Sequence, residues 1–127
     1  MKREGVGTRY YLDTYAIYEI VSGSPNYRRY WGSETTTSIF NITEAYYIFL
    51  REFGEETADE KTIPLFINSL PIRALTVKEA MKFRLAHKKK DLSYADCIGY
   101  QLAKENGFRF LTGDIQFKGL PNVEFAR

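Results

Sequence analysis

Only one cysteine and one histidine occur in 127 residues, and that scarcity removes several chemistries at once. Cys97 alone forms no internal disulfide, and with only His87 to accompany it no Cys/His zinc site can be assembled. The same count excludes a two-histidine acid–base ribonuclease and a cysteine–histidine hydrolase, and leaves a serine triad only if His87 is its base. No apolar run approaches the roughly 18 residues that span a bilayer, so no membrane insertion is expected. The start Met1-Lys2-Arg3-Glu4-Gly5 has no apolar stretch behind its charges, and the apolar residues from 10 to 18 are interrupted by Asp13. No signal peptide is legible, and a cytoplasmic location is expected. Charge of one sign is also scarce: 18 Lys and Arg against 16 Asp and Glu leave +2 at pH 7, too little by itself to announce a nucleic-acid binder.

What is present is enough for one domain, expected to occupy residues 1–127, with 44% apolar residues to form a core. Ten tyrosines and nine phenylalanines fill a core or a subunit interface, or stack on exposed bases. The charge is unevenly divided. Residues 1–63 carry 7 basic and 10 acidic side chains and residues 64–127 carry 11 and 6, so the basic surface belongs to the second half.

The pattern alternates strands with helices. Residues 10–12 read as a short buried strand ending at Asp13, followed by a helix over 15–21 that Ser22-Gly23-Ser24-Pro25 stops. A second short helix is expected over 26–31. Residues 35–40 are β-rich and lead, after Asn41, into a helix with Ala45, Ile48, Phe49 and Phe53 on its apolar face. A helix over 58–69 should kink or restart at Pro64. Residues 71–75 read as a third strand, after which Thr76-Val77-Lys78-Glu79 is a capping box opening a helix toward Lys88. Ser93-Tyr94-Ala95-Asp96 opens another helix, Asn106-Gly107 stops it, 108–112 is a fourth strand and 123–125 a fifth at an edge. The expected fold class is α/β, a three-layer α/β/α sandwich with a mostly parallel sheet of four or five strands.

With Cys and His removed, chemistry must rest on carboxylates. Asp13, Glu44, Asp96 and Asp114 each fall at a junction between elements. Asp13 and Asp114 follow the carboxyl ends of two strands, Glu44 is expected in the first turn of the helix leaving the second strand, and the 94–106 helix runs antiparallel to the strand it feeds, which brings Asp96 to the same edge. Ligands of open α/β sheets bind at that edge. Four carboxylates there repel one another unless a cation is bound, and oxygen donors alone favour Mg²⁺ or Mn²⁺. Each acid also has a local reading. Glu44 and Asp96 lie three residues after Asn41 and Ser93, as helix caps do; Asp13 can be an N-cap and Asp114 a turn residue. Thr112 and Ser93 either support the acids or a metal-bound water, or are ordinary strand-end and cap hydroxyls. Lys88, Lys89, Lys90, Arg109 and Lys118 either grip RNA phosphates or form a solvated face. Cys97 and Met81 read as core, and His87 as a surface residue near a helix end.

The segments Tyr11-Leu12-Asp13-Thr14, Ile42-Thr43-Glu44, Ser93-Tyr94-Ala95-Asp96-Cys97-Ile98 and Phe110-Leu111-Thr112-Gly113-Asp114-Ile115-Gln116-Phe117 together resemble the PIN-domain family. Their order and spacing are similar to its small VapC-like toxin ribonucleases over nearly the whole chain. The family's acidic positions fall on Asp13, Glu44, Asp96 and Asp114, its strand-end hydroxyl on Thr112, and none is missing. The resemblance implies an endoribonuclease dependent on Mg²⁺ or Mn²⁺, a homodimer, and a small antitoxin partner that blocks the site. A housekeeping PIN nuclease in RNA processing and a non-catalytic RNA-binding or interaction module are the competing readings. A receiver-like phosphoacceptor would want an aspartate after the third strand, where the chain has Ala74-Leu75-Thr76.

Overall fold

Tyr11 and Leu12 are adjacent in the chain and point to opposite faces of a sheet, and the whole fold is built on that alternation. The computed structural model describes residues 7–127; the charged segment 1–5 considered above lies outside the described residues. Four strands, β1 (Tyr10–Leu12), β2 (Thr35–Thr36), β3 (Arg109–Thr112) and β4 (Val123–Phe125), pair in the order β2-β1-β3-β4, every pair parallel. Among the described residues five α-helices accompany them: α1 (Thr14–Val21), α2 (Ile39–Phe53), α3 (Glu55–Ile67), α4 (Ala74–Ala86) and α5 (Tyr94–Asn106). Tyr11 and Phe110 face a core completed by Ala80 of α4 and by Cys97, Ile98, Leu102 and Ala103 of α5. Leu12 and Leu111 face a second core with Ala16 and Ile17 of α1, Ala45 and Phe49 of α2, and Ala58 of α3. A parallel sheet covered on both faces is the expected three-layer α/β/α sandwich. Among the described residues no helix is long and apolar enough to cross a membrane.

Several expected boundaries are corrected. The second strand stops at Thr36, and Ile39 and Phe40 belong to α2, because the Ser38 hydroxyl meets the Tyr11 hydroxyl at 2.7 Å and fixes the start of the helix there. No third strand forms over 71–75. Sheet-like contact at that edge is a single parallel bridge between Thr37 and Ser69, and Ala74 and Leu75, both good helix formers, already belong to α4. Thr76 is therefore not a cap. Arg73 holds that position, and the Thr76 hydroxyl donates instead to Glu105 of α5 at 2.7 Å. The helix ends at Ala86 and leaves Lys88–Lys90 in the following turn, and α3 runs through Pro64 rather than restarting. The segment over 26–31 is a 3₁₀ turn, Pro25–Tyr30. Gly107 ends α5 with φ +75° and returns the chain into β3, so α5 starts at the edge where β3 finishes.

Candidate active site

That edge collects all four acids. Asp13 follows β1 and caps α1, its Oδ1 accepting the Ala16 N–H at 2.8 Å. Its other oxygen accepts the Thr112 hydroxyl at the end of β3, and that hydroxyl oxygen accepts the Asp114 N–H at 2.9 Å. Asp114 caps a short 3₁₀ turn, Ile115–Phe117, through the Gln116 N–H at 2.9 Å. Asp96 stands in the first turn of α5, whose N-cap Ser93 accepts the Asp96 N–H at 3.0 Å. The cap readings of Asp13 and Ser93 and the turn reading of Asp114 are thus true locally, and these local bonds also deliver the carboxylates to one place. Glu44 is the exception: with α2 starting at Ile39 it lies in the second turn, too far in to cap anything. Its Oε1 accepts the Thr14 hydroxyl at 2.6 Å.

The residue that ties these groups together was not among the sequence candidates. Asn41 is fully buried; its amide nitrogen donates to Asp96 Oδ1 at 3.0 Å and to the Thr14 hydroxyl oxygen at 3.1 Å. Its Oδ1 accepts the Tyr11 hydroxyl at 2.7 Å. One connected network therefore runs from Ser38 through Tyr11 and Asn41 to Asp96, and through Thr14 to Glu44. The signal for Asn41 was its position three residues before Glu44, one helical turn away on the same face, where a capping explanation took precedence.

Electrostatics mark the same cluster. Burial holds the Asp13 carboxyl well above the ordinary carboxylate range, and the charges of Asp96 and Asp114 push it further, against hydrogen bonds from Thr112 and Ala16. Burial likewise raises Asp96 to about 6; Asn41 opposes the rise, while Glu44 and Asp114 add to it. Burial also pushes the Tyr11 hydroxyl far up, so it remains a neutral donor to Asn41.

Among the described residues no three Asp, Glu, His or Cys side chains are packed closely enough to hold a metal ion as they stand. The donor set nevertheless suits one. Beyond burial, the Asp96 and Asp114 charges raise Asp13 and the Glu44 and Asp114 charges raise Asp96, and hard oxygen donors that repel one another are what a divalent cation relieves.

The basic candidates are dispersed. Lys90 Nζ donates to the Gln116 carbonyl at 3.1 Å, beside the turn that Asp114 caps. Lys88 and Lys89 are exposed in the turn after α4. Lys118 Nζ sits 5.1 Å over the ring of Phe125, the last residue of β4. Arg109 begins β3, at the end away from Thr112, and is 3.3 Å from Glu124, so it does not join the acids. Cys97 is buried as expected, Met81 packs against the same core, and the half-buried His87 ring lies 4.3 Å from Phe83 at the end of α4.

The sequence model of the PIN domain matches residues 10–123. Three solved structures are similar over nearly the whole chain. VapC20 from Mycobacterium tuberculosis, a sarcin–ricin loop cleaving toxin, is 19% identical with a TM-score of 0.70, covering 91% of this chain and 98% of its own. A toxin–antitoxin complex from Klebsiella pneumoniae is 18% identical with a TM-score of 0.72, covering 91% and 95%. DNA-bound VapBC from Salmonella typhimurium is 19% identical with a TM-score of 0.70, covering 94% and 97%. No curated protein sequence matches significantly.

Proposed function

The chain belongs to the PIN domain family, and from that premise we propose that it is a cytoplasmic, single-domain endoribonuclease dependent on Mg²⁺ or Mn²⁺, the toxin of a toxin–antitoxin pair. The observation that carries this reading is the acidic edge, where burial first and acidic neighbours second raise the carboxyls of Asp13 and Asp96 at the starts of α1 and α5. Asp13, Glu44, Asp96 and Asp114 are the metal-holding and catalytic residues. A bound divalent ion supplies charge stabilisation at a scissile phosphodiester and lowers the pKa of water. The chain's own groups prepare the site. Thr112 orients Asp13 and, through its oxygen, the backbone before Asp114. Asn41 aims Asp96, Thr14 aims Glu44, and Ser93 anchors the helix start under Asp96. Hydrogen-bonded acids of this kind lose little rotamer freedom when they take up a ligand.

RNA as substrate is supported by the Mycobacterium relative's cleavage of the sarcin–ricin loop, with Lys88, Lys89, Lys90 and Lys118 as phosphate contacts. An antitoxin partner is supported by the complexes from Klebsiella and Salmonella, and a homodimer by the family resemblance. The test is to incubate purified, partner-free protein with transfer and ribosomal RNA in Mg²⁺ or Mn²⁺. Site-specific cuts that disappear with EDTA and in Asp96→Asn are expected. Equal behaviour of wild type and Asp96→Asn would overturn the catalytic reading.

A further inference from the structure

A cleft of about 510 Å³ opens beside the acidic edge, with Glu44 and Ser93 in its lining. Its walls carry two aromatic rings that the core does not use: Phe40 is 43% exposed and Tyr94 61% exposed. Phe40 is the second residue of α2 and Glu44 lies one turn further along the same face. Tyr94 opens α5, two residues before Asp96. The first turns of two helices thus each present an exposed ring next to a site carboxylate. Arg84 completes the cleft: its Nε donates to the Leu92 carbonyl at 3.0 Å, and its guanidinium lies 4.2 Å from the centre of the Tyr94 ring. That contact fixes the Tyr94 ring and places a cation where the approach to the site is otherwise acidic.

We propose that this cleft is a subsite for an unpaired nucleobase of single-stranded RNA, next to the bond that is cut, with Phe40 and Tyr94 as the stacking platform and Arg84 as the cation that fixes Tyr94 and faces the adjoining phosphate. The inference rests on the nuclease reading and adds to it a requirement for a splayed-out base. Every base has a π-face, so rings at a cleft mouth bind bases without regard to identity, and each stacked base is worth about tenfold or more in affinity. A phosphodiester approaching four carboxylates also needs nearby positive charge, and Arg84 is the cation lining this cleft. The rings are continuous with the acids rather than on a remote face, so a stacked base lies next to the phosphodiester that the acids would receive.

The test is a cycle between an abasic RNA scan and two ring variants. Labelled single-stranded RNA is bound in Mg²⁺ to Asp96→Asn protein, alone and combined with Phe40→Ala or Tyr94→Ala, and an abasic nucleotide is moved along the strand. One abasic position is expected to weaken binding about tenfold. Tyr94→Ala should weaken intact RNA by a similar factor and leave the RNA abasic at that position unaffected, because both changes delete the same contact. Tyr94→Trp should restore binding, which separates loss of a stacking face from loss of fold. A flat abasic scan, or losses that multiply, overturns the subsite and leaves the rings to a protein interface. Cleavage of the same RNA by the chain with Asp96 intact is scored separately. Coupled losses without cutting would retain the subsite and remove the nuclease reading; cutting without coupling would do the reverse.

Discussion

Asn41 is the residue on which the site depends most and to which composition gives no prominence. Buried among Tyr11, Thr14 and Asp96, it uses both its amide nitrogen and its carbonyl oxygen. Asn41→Ala leaves the Tyr11 hydroxyl and Asp96 each short of a partner, and an unsatisfied buried polar group costs about 1–3 kcal/mol. The urea midpoint should fall accordingly, with RNA cleavage falling more than stability because Asp96 is no longer aimed. Asp96→Asn makes the opposite split. Its amide oxygen can still accept from Asn41 and its folded state is relieved of one of several neighbouring negative charges, so unfolding in EDTA should be unchanged or shifted to higher urea. Loss of a metal-holding charge worth several kcal/mol in the transition state lowers cleavage by about 10²-fold or more. A variant that loses structure along with activity would argue that Asp96 is a structural residue.

At the scale of elements, α5 carries Asp96 and is seated by a glycine. A Cβ on Gly99 would come within 2.6 Å of the Tyr11 ring and 2.8 Å of Asn41 Oδ1, so α5 can approach β1 and α2 this closely only without a side chain there. Gly99→Ala should destabilise by about 1–3 kcal/mol and disturb the Asn41–Asp96 contact, reducing cleavage even at temperatures where the protein is folded. Circular dichroism melts beside an activity assay check both. The α5 helix was legible because its signals are local: Ser93 caps it, a 3.6-period apolar stripe spans it and Gly107 stops it with φ +75°. The same holds for β1 and β3, whose apolar runs end at Asp13 and at Thr112-Gly113. What misled was chemistry completed from elsewhere in the chain. Thr76 looked like a cap until Glu105 claimed its hydroxyl, and Ser38 gave no sign of starting α2 because its hydroxyl serves Tyr11 rather than a helix N–H. Asp13, Asp96 and Asp114 were readable for the converse reason, since strand ends and helix starts fix them through their own backbone, whereas Glu44 lies a turn deeper in α2 and is held by Thr14. Asn41, Thr14 and Tyr11 act across elements, and no spacing announces that.

For the molecule as a whole, the acidic edge is a source of instability that ligand binding should relieve. Asp13 and Asp96 hold their protons more tightly folded than unfolded: Asp96 titrates at about 6 against 3.8 for the ordinary group, and Asp13 is raised well above its ordinary value. The folded state then binds more protons than the unfolded one above about pH 4, so the contribution of these groups to stability falls as pH rises through that window. For Asp96 it is fully present below the ordinary value and is lost as pH rises through about 6; the raised Asp13 contributes with the same sign. Urea unfolding in EDTA at pH 5, 6 and 7.5 should therefore show wild type losing more stability across the range than Asp96→Asn, with the difference reporting Asp96 together with the part of the Asp13 shift that its charge causes. Mn²⁺ or Mg²⁺ should raise the wild-type midpoint at pH 7.5, where the carboxylates are free to take a cation, and have little effect at pH 5, where protons compete for the same oxygens. Parallel pH slopes for the two proteins, together with a midpoint indifferent to metal at pH 7.5, would mean that the acids are accommodated without a cation, and the proposed metal dependence would fail with them.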